Sequence, residues 1–227
     1  APRHNSFPLR MNPTVKAPPA ASTSPLMGTL AIMGFAAEDN LRSVAQALGR
    51  GESSALSRVA ERNAKQPRLR AEIEEQIAEE LARMPTGTRS SRKLLLASRV
   101  ALLFETMGAQ TVEIAQLCGQ LLRDSRPGRL TDIRKLVEHA VYITDRAASG
   151  LVEEDLAMAK IARGQRVAAN ELHSRIVREL ALLASGSAEA RPRVDLLGQI
   201  ASKAHGLIEE AGRLADDVTL WLQSAAA

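Results

Sequence analysis

The chain has 227 residues, of which 45% are hydrophobic and only 2% aromatic, with a formal net charge of +4. This length allows one large domain or two of about 100 residues, and the aliphatic composition favours closely packed helices over stacked sheets. The first 24 residues contain basic residues but no acidic ones, so the rest of the chain is nearly neutral. The charge distribution therefore predicts no nucleic-acid surface, and the single Cys118 excludes an internal disulfide.

Residues 1–24 are rich in Pro, Ser, Thr and Ala, a composition that predicts a disordered tail or linker. No apolar run reaches the length of a membrane span, and the tail lacks the apolar segment of a secretion signal. We therefore expect a cytoplasmic protein. The chain starts at Ala1 rather than Met, which is expected if an initiator Met is removed or if the chain is cut from a longer protein.

From residue 25 onward the hydrophobic periodicity is helical, which predicts an all-α protein with six long helices. The first helix is expected to end at the Gly49-Arg-Gly51 turn. Inside the second, Pro67 predicts a kink or restart, which Asn63 could cap; Gly164 lies near the equivalent place in the fifth helix. The six predicted helices cover about 25–48, 53–84, 88–123, 131–148, 153–184 and 194–223.

A segment in the third predicted helix recurs in the sixth. Residues 97–108, ASRVALLFETMG, match 201–212, ASKAHGLIEEAG, with the same small, basic, apolar, Glu and Gly positions. The ends of the second and fifth helices match as well, at 77–84 and 176–183. An internal repeat of this kind indicates a duplicated structural unit. The sequence thus predicts two tandem three-helix bundles related by a pseudo-twofold repeat, at residues 25–124 and 129–223.

The repeated segments resemble the signature of the PhoU family, whose domains are tandem three-helix units with a Glu-x-x-Gly-Asp motif late in the third helix. The first copy reads FETMGAQTVEIA, with Glu105 and Gly108 in place, and the second reads IEEAGRLADDVT, with Glu209 and Gly212 in place. Residues 30–52 also resemble the family's opening helix. The resemblance covers about residues 25–223 and implies a PhoU-like architecture.

The resemblance implies a non-enzymatic regulator of phosphate uptake that acts in the cytoplasm, at the inner face of the membrane, and contacts a phosphate transporter and a sensor kinase. It leaves open a PhoU-type cytoplasmic domain of a sodium/phosphate cotransporter, a metal-binding helical protein and a homodimer. The chain has no phosphate-binding glycine loop, nucleophile elbow or paired-Cys motif, so no catalytic residue is predicted.

In metal-binding members of the resembled family, acidic residues four positions apart hold iron or zinc clusters, because this spacing places two carboxylates on one helix face. The second carboxylate is replaced here by Ala109 in the first copy and by Arg213 in the second, and Arg213 could pair with Glu209. The remaining candidate ligands are Glu105, Glu209 and Asp217. We therefore expect no cofactor, with iron or zinc as the alternative.

Glycine inside a helix costs about 1 kcal/mol relative to alanine, so Gly108 and Gly212 predict places where two helices approach closely. His173 and His205 fall on different predicted helices, where surface histidines are expected and a ligand role is the alternative. Cys118 is expected to be a small buried apolar residue.

Overall fold

The computed structural model describes residues 24–83, 89–123, 130–186 and 189–226. These residues form eight α-helices and one short 3-10 helix with no β-strand among them, which confirms the all-α prediction. Of the predicted tail, only Ser24 lies within the described residues. The α-helices are α1 (Pro25–Arg50), α2 (Val59–Asn63), α3 (Gln66–Arg83), α4 (Arg89–Arg123), α5 (Leu130–Val152), α6 (Leu156–Gly164), α7 (Arg166–Gly186) and α8 (Arg191–Ala226), and the 3-10 helix, Ser53–Leu56, lies between α1 and α2.

Four of the six predicted helices are continuous, as α1, α4, α5 and α8, whereas the second and fifth are divided. The second becomes the 3-10 helix, α2 and α3, with the restart that Pro67 predicts, because proline suits the first turn of a helix but not its interior. Asn63 ends α2 but does not cap α3, since its buried Oδ1 has no hydrogen-bond partner. The fifth divides into α6 and α7 directly after Gly164.

The helix ends have local causes that can be read from the chain. Gly51 follows α1 in the left-handed conformation, with a φ of 70°, and its N–H bonds to the carbonyl of Ala47. At the start of α6, the side chain of Asp155 accepts hydrogen bonds from the N–H groups of Ala157 and Met158, at 2.7 and 3.2 Å. Such a cap satisfies donors that the first turn leaves unpaired.

The helices α4 and α8 pack against each other in antiparallel directions. Arg99 of α4 pairs with Asp217 of α8 at 2.8 Å, and Glu113 of α4 pairs with Lys203 of α8. Moving towards the C-terminus of α4 therefore moves towards the N-terminus of α8. Because Arg99 and Lys203 are equivalent in the repeat, as are Glu113 and Asp217, the two ion pairs are equivalent as well.

Gly34 marks the closest approach of α1 to its neighbours. A side chain there would place its Cβ 2.9 Å from Cζ of Phe104 on α4 and 3.2 Å from Cβ of Ala148 on α5. One glycine thus lets α1 approach helices from both halves of the chain.

The hydrophobic core is aliphatic and draws on both halves. Its buried residues, mainly Leu, Ile, Val and Ala, form one cluster with contributions from α1 through α8, and Phe104 is its largest fully buried side chain. The division into repeats at 25–124 and 129–223 stays a prediction, and the shared cluster shows that the two stretches bury their apolar faces together. Within the described ranges, no helix has the length and apolar character needed to cross a membrane.

Candidate functional site

The candidate site is centred in each half on the glutamate of the repeated motif, and Glu105 and Glu209 are called the signature glutamates below. Both side chains are partly buried, with 24% of Glu105 and 29% of Glu209 exposed. Each accepts a hydrogen bond from an arginine of the preceding helical unit, Arg70 on α3 and Arg166 on α7. The structure therefore places a guanidinium beside both carboxylates.

In the first half, Arg70 bridges two carboxylates. Its Nη1 donates to Oε2 of Glu105 at 2.8 Å, and its Nη2 lies 2.7 Å from Oε1 of Glu74 on its own helix. The hydrogen bonds to Glu105 and Glu74 raise the pKa of Arg70 above its usual range. The guanidinium is thus a fixed positive charge that joins α3 to α4.

In the second half, Arg166 bridges two carboxylates of the same partner helix. Its Nη2 donates to Glu209, and its Nη1 lies 3.4 Å from Oδ2 of Asp216, which also pairs with Arg163 at 2.9 Å. Burial opposes ionisation of Glu209, but the hydrogen bond and the charge of Arg166 outweigh it and lower the pKa of this carboxyl group. Glu209 is accordingly held in its charged form.

Gly108 and Gly212 lie where side chains from the preceding unit cross α4 and α8. A Cβ at Gly108 would overlap Oδ1 of Asn63, and a Cβ at Gly212 would overlap Cδ and Nε of Arg166. The two glycines are closely packed, but not by the direct approach of two helices that the sequence predicts. The close partner of each glycine is a crossing side chain rather than the backbone of another helix.

The predicted pairing of Arg213 with Glu209 is wrong. Nη1 of Arg213 donates instead to Oε1 of Glu210, three residues earlier on the same helix, at 2.9 Å. The side chain of Arg213 is 62% exposed, so it lies on the solvent face of α8, whereas Glu209 turns towards α7 and Arg166.

Asp217, the third candidate ligand, lies between helices rather than beside the signature glutamates. It is 2% exposed, its Oδ1 pairs with Arg99, and its Oδ2 is buried without a hydrogen-bond partner. Burial raises the pKa of Asp217, and the charge of Arg99 opposes this effect. Its observed role is to tie α8 to α4.

The structure does not bring Glu105, Glu209 and Asp217 together. Among the described residues, no group of three or more His, Cys, Asp and Glu side chains is placed to hold a metal ion. Each signature glutamate is instead paired with a guanidinium group, that of Arg70 or Arg166. The described residues therefore do not fit the iron or zinc cluster of the metal-binding members of the resembled family.

His173 and His205 form a pair that the sequence did not predict. Their rings stack with centroids 4.1 Å apart and an angle of 11° between planes. Nε2 of His205 lies 3.0 Å from Oδ1 of Asn170, whereas Nε2 of His173 is buried without a partner. Burial and the charge of His205 lower the pKa of His173.

The sequence does not predict the roles of Arg70 and Arg166, because each contacts its glutamate from another helix. Both arginines lie on the helix that precedes a motif helix, and this position is a sequence signal. Arginine is common in this chain, however, so spacing alone does not distinguish Arg70 and Arg166 from the other arginines. Cys118 is buried as predicted, and burial raises the pKa of its thiol to about 12.

Comparisons with known proteins give a fold but no sequence relative. Neither protein-family models nor curated proteins give a match. Among solved structures, PhoU from Pseudomonas aeruginosa is similar with a TM-score of 0.82 at 18% identity, over 87% of this chain and 95% of that one. The phosphate transport system regulatory protein PhoU from Streptococcus pneumoniae gives 0.76 at 11% identity, over 88% and 94%. The chain thus has the fold of these proteins.

Proposed function

We propose that this protein, which has the fold of PhoU, is a non-enzymatic regulator of phosphate uptake and phosphate signalling. The observation that carries the proposal is the fold similarity to PhoU from Pseudomonas aeruginosa, with a TM-score of 0.82 over 87% of this chain. The similar protein from Streptococcus pneumoniae is described as a phosphate transport system regulatory protein. The two Glu-x-x-Gly motifs, at Glu105–Gly108 and Glu209–Gly212, add a sequence argument that is independent of the overall shape.

The proposed mechanism is recognition through helix faces, with a phosphate transporter and a sensor kinase as partners at the cytoplasmic face of the membrane. One surface suited to such contact lies around the Arg99–Asp217 pair. Leu95 and Leu102 of α4 are 58% and 46% exposed, and Leu220 of α8 is 50% exposed. Arg99 shares a helix face with Leu95 and Leu102, since side chains three and four positions apart are neighbours.

This apolar surface has no equivalent in the other copy of the repeat. The positions that correspond to Leu95, Leu102 and Leu220 are Gln199, Gly206 and Gln116. The pseudo-twofold arrangement therefore offers one apolar face and one polar face, which would allow a partner to bind in a single orientation.

The test uses cells of the source organism that lack the gene and are complemented with variants. The variant L95K/L102K is expected to fold, because both side chains are exposed, but to leave phosphate-starvation genes expressed in phosphate-rich medium. A matched control is Leu182→Lys on α7, which is 74% exposed and is expected to restore repression. Repression by L95K/L102K equal to that by the wild type would contradict this contact surface. Normal repression in the deletion strain would contradict the proposed function.

A further inference from the structure

In each half an arginine contacts the signature glutamate, but the two arginines come from different positions of the repeat. When the repeats are aligned at 77–84 and 176–183, Arg70 corresponds to Ala169, and Arg166 corresponds to Pro67. The repeat alone does not place a guanidinium in both halves, because neither arginine has an arginine counterpart. The same contact is nevertheless made twice, at 2.8 Å to Oε2 of Glu105 and by a direct hydrogen bond to Oε2 of Glu209.

Each guanidinium also binds a second carboxylate, so that one positive group is shared by two negative ones. The second carboxylate is Glu74 for Arg70 and Asp216 for Arg166. A guanidinium with several fixed donors suits such bridging, since it keeps its charge and can bond two oxygens at once. A divalent cation bound between two carboxylates would neutralise their negative charge in the same way.

We propose that Arg70 and Arg166 are built-in cations that take the structural place of a bound metal ion, so that the signature glutamates are neutralised without one. In the first half Arg70 joins α3 to α4, and in the second half Arg166 joins α7 to α8. Arg166 adds steric exclusion, because its side chain lies directly over Gly212. Arg166, together with Arg163 on Asp216, thereby occupies carboxylate oxygens of Glu209 and Asp216 that a cation would need.

The first arm of the test measures thermal unfolding of the purified protein with and without Arg70 and Arg166. Arg70→Gln and Arg166→Gln are expected to lower Tm by about 2–6 °C each. The matched controls are Arg68→Gln, which removes an ion pair from an 86% exposed side chain of α3, and Arg213→Gln on α8. These controls are expected to change Tm by less than the Arg70 and Arg166 variants, because exposed ion pairs contribute little. Equal effects in both sets would overturn the proposal.

A second measurement separates a specific pair from a general packing role. The double variant R166Q/E209Q is expected to be more stable than the two single effects predict, because removing Glu209 also removes the uncompensated carboxylate. Additive effects would mean that Arg166 does not act through Glu209 and would overturn the assignment.

The final arm uses manganese chloride, zinc chloride and EDTA on the wild-type protein. Tm is expected to be unchanged by all three, and elemental analysis is expected to find well below one metal ion per chain. A metal-dependent rise in Tm that Glu209→Gln abolishes would show that the carboxylate binds metal despite Arg166, and would overturn the proposal. These readouts are independent of phosphate regulation, so the proposed function and this inference can fail separately.

Discussion

Two glycines of α8 differ in what a side chain would meet. A Cβ at Gly212 would overlap Arg166, whereas a Cβ at Gly206 would have no neighbouring atom within 4 Å. Both glycines carry the same backbone cost within the helix, about 1 kcal/mol relative to alanine. Any difference between their alanine variants therefore reports the crossing of Arg166.

Gly206→Ala is expected to raise the free energy of unfolding by about 1 kcal/mol, because only the helix propensity changes. Gly212→Ala is expected to be less stable than Gly206→Ala by about 1–3 kcal/mol, since Arg166 must move and lose its carboxylate partners. Urea denaturation of both variants measures the difference. Equal stabilities would mean that Arg166 does not lie over Gly212.

The sequence predicts some of these residues and not others. The motif predicts Glu105 and Glu209 as candidate site residues and Gly108 and Gly212 as closely packed positions, because the glutamate and the glycine of each motif lie on one helix. It did not predict Arg166 as the partner of Glu209, because that contact depends on how α7 is aligned against α8. Arg213 is predicted as the partner of Glu209 because it lies four positions later on the same helix, and this prediction is wrong.

His173 gives the protein a pH dependence with a defined sign. Because burial and the charge of His205 lower the pKa of His173 from 6.5 in the folded protein, the unfolded chain binds this proton more tightly. The contribution to stability is complete above the ordinary pKa and is lost as the pH falls below it. His173→Gln is expected to show a smaller loss of stability between about pH 7.5 and pH 5 in urea titrations. Parallel curves for variant and wild type would contradict this.

At the scale of helices, α4 and α8 are joined by two ion pairs that the repeat makes equivalent but that differ in burial. Asp217 is buried beneath the exposed Arg99, whereas Glu113 and Lys203 are each about half exposed. The same contact should thus contribute differently at the two ends of the interface.

Arg99→Gln is expected to lower the free energy of unfolding by about 1–3 kcal/mol, because Asp217 remains buried without its partner. Lys203→Gln is its repeat-equivalent control and is expected to cost about 0–1 kcal/mol. Chemical denaturation of the two variants compares them directly. A larger effect at Lys203 would contradict the observed burial.

Helix existence followed from periodicity, and the break at Pro67 followed from the chemistry of proline. The 3-10 helix and the short α2 were not predicted, because local pattern does not reveal how 51–65 must turn to reach α4. There, the 3-10 helix packs against α4, and a Cβ added at Gly119 would lie 3.9 Å from Cδ1 of Leu56. Tertiary packing decided the conformation of this stretch.

At the scale of the whole molecule, the repeat predicts the order of helices but not how the halves combine. The close approach at Gly34 brings α1, α4 and α5 together, and the aliphatic core continues across both halves. Such contacts join residues that are distant in sequence, so no local pattern specifies them. The two Glu-x-x-Gly motifs therefore lie on helices that share one hydrophobic core, while the surfaces around them differ.

The proposed regulation of phosphate uptake is tested by measuring the initial rate of radiolabelled phosphate uptake. Cells that lack the gene and grow in phosphate-rich medium are compared with cells complemented by the wild-type chain. We expect faster, unregulated uptake in the deletion strain and a normal rate after complementation. An uptake rate that is the same in both strains, at low and at high phosphate, would contradict it.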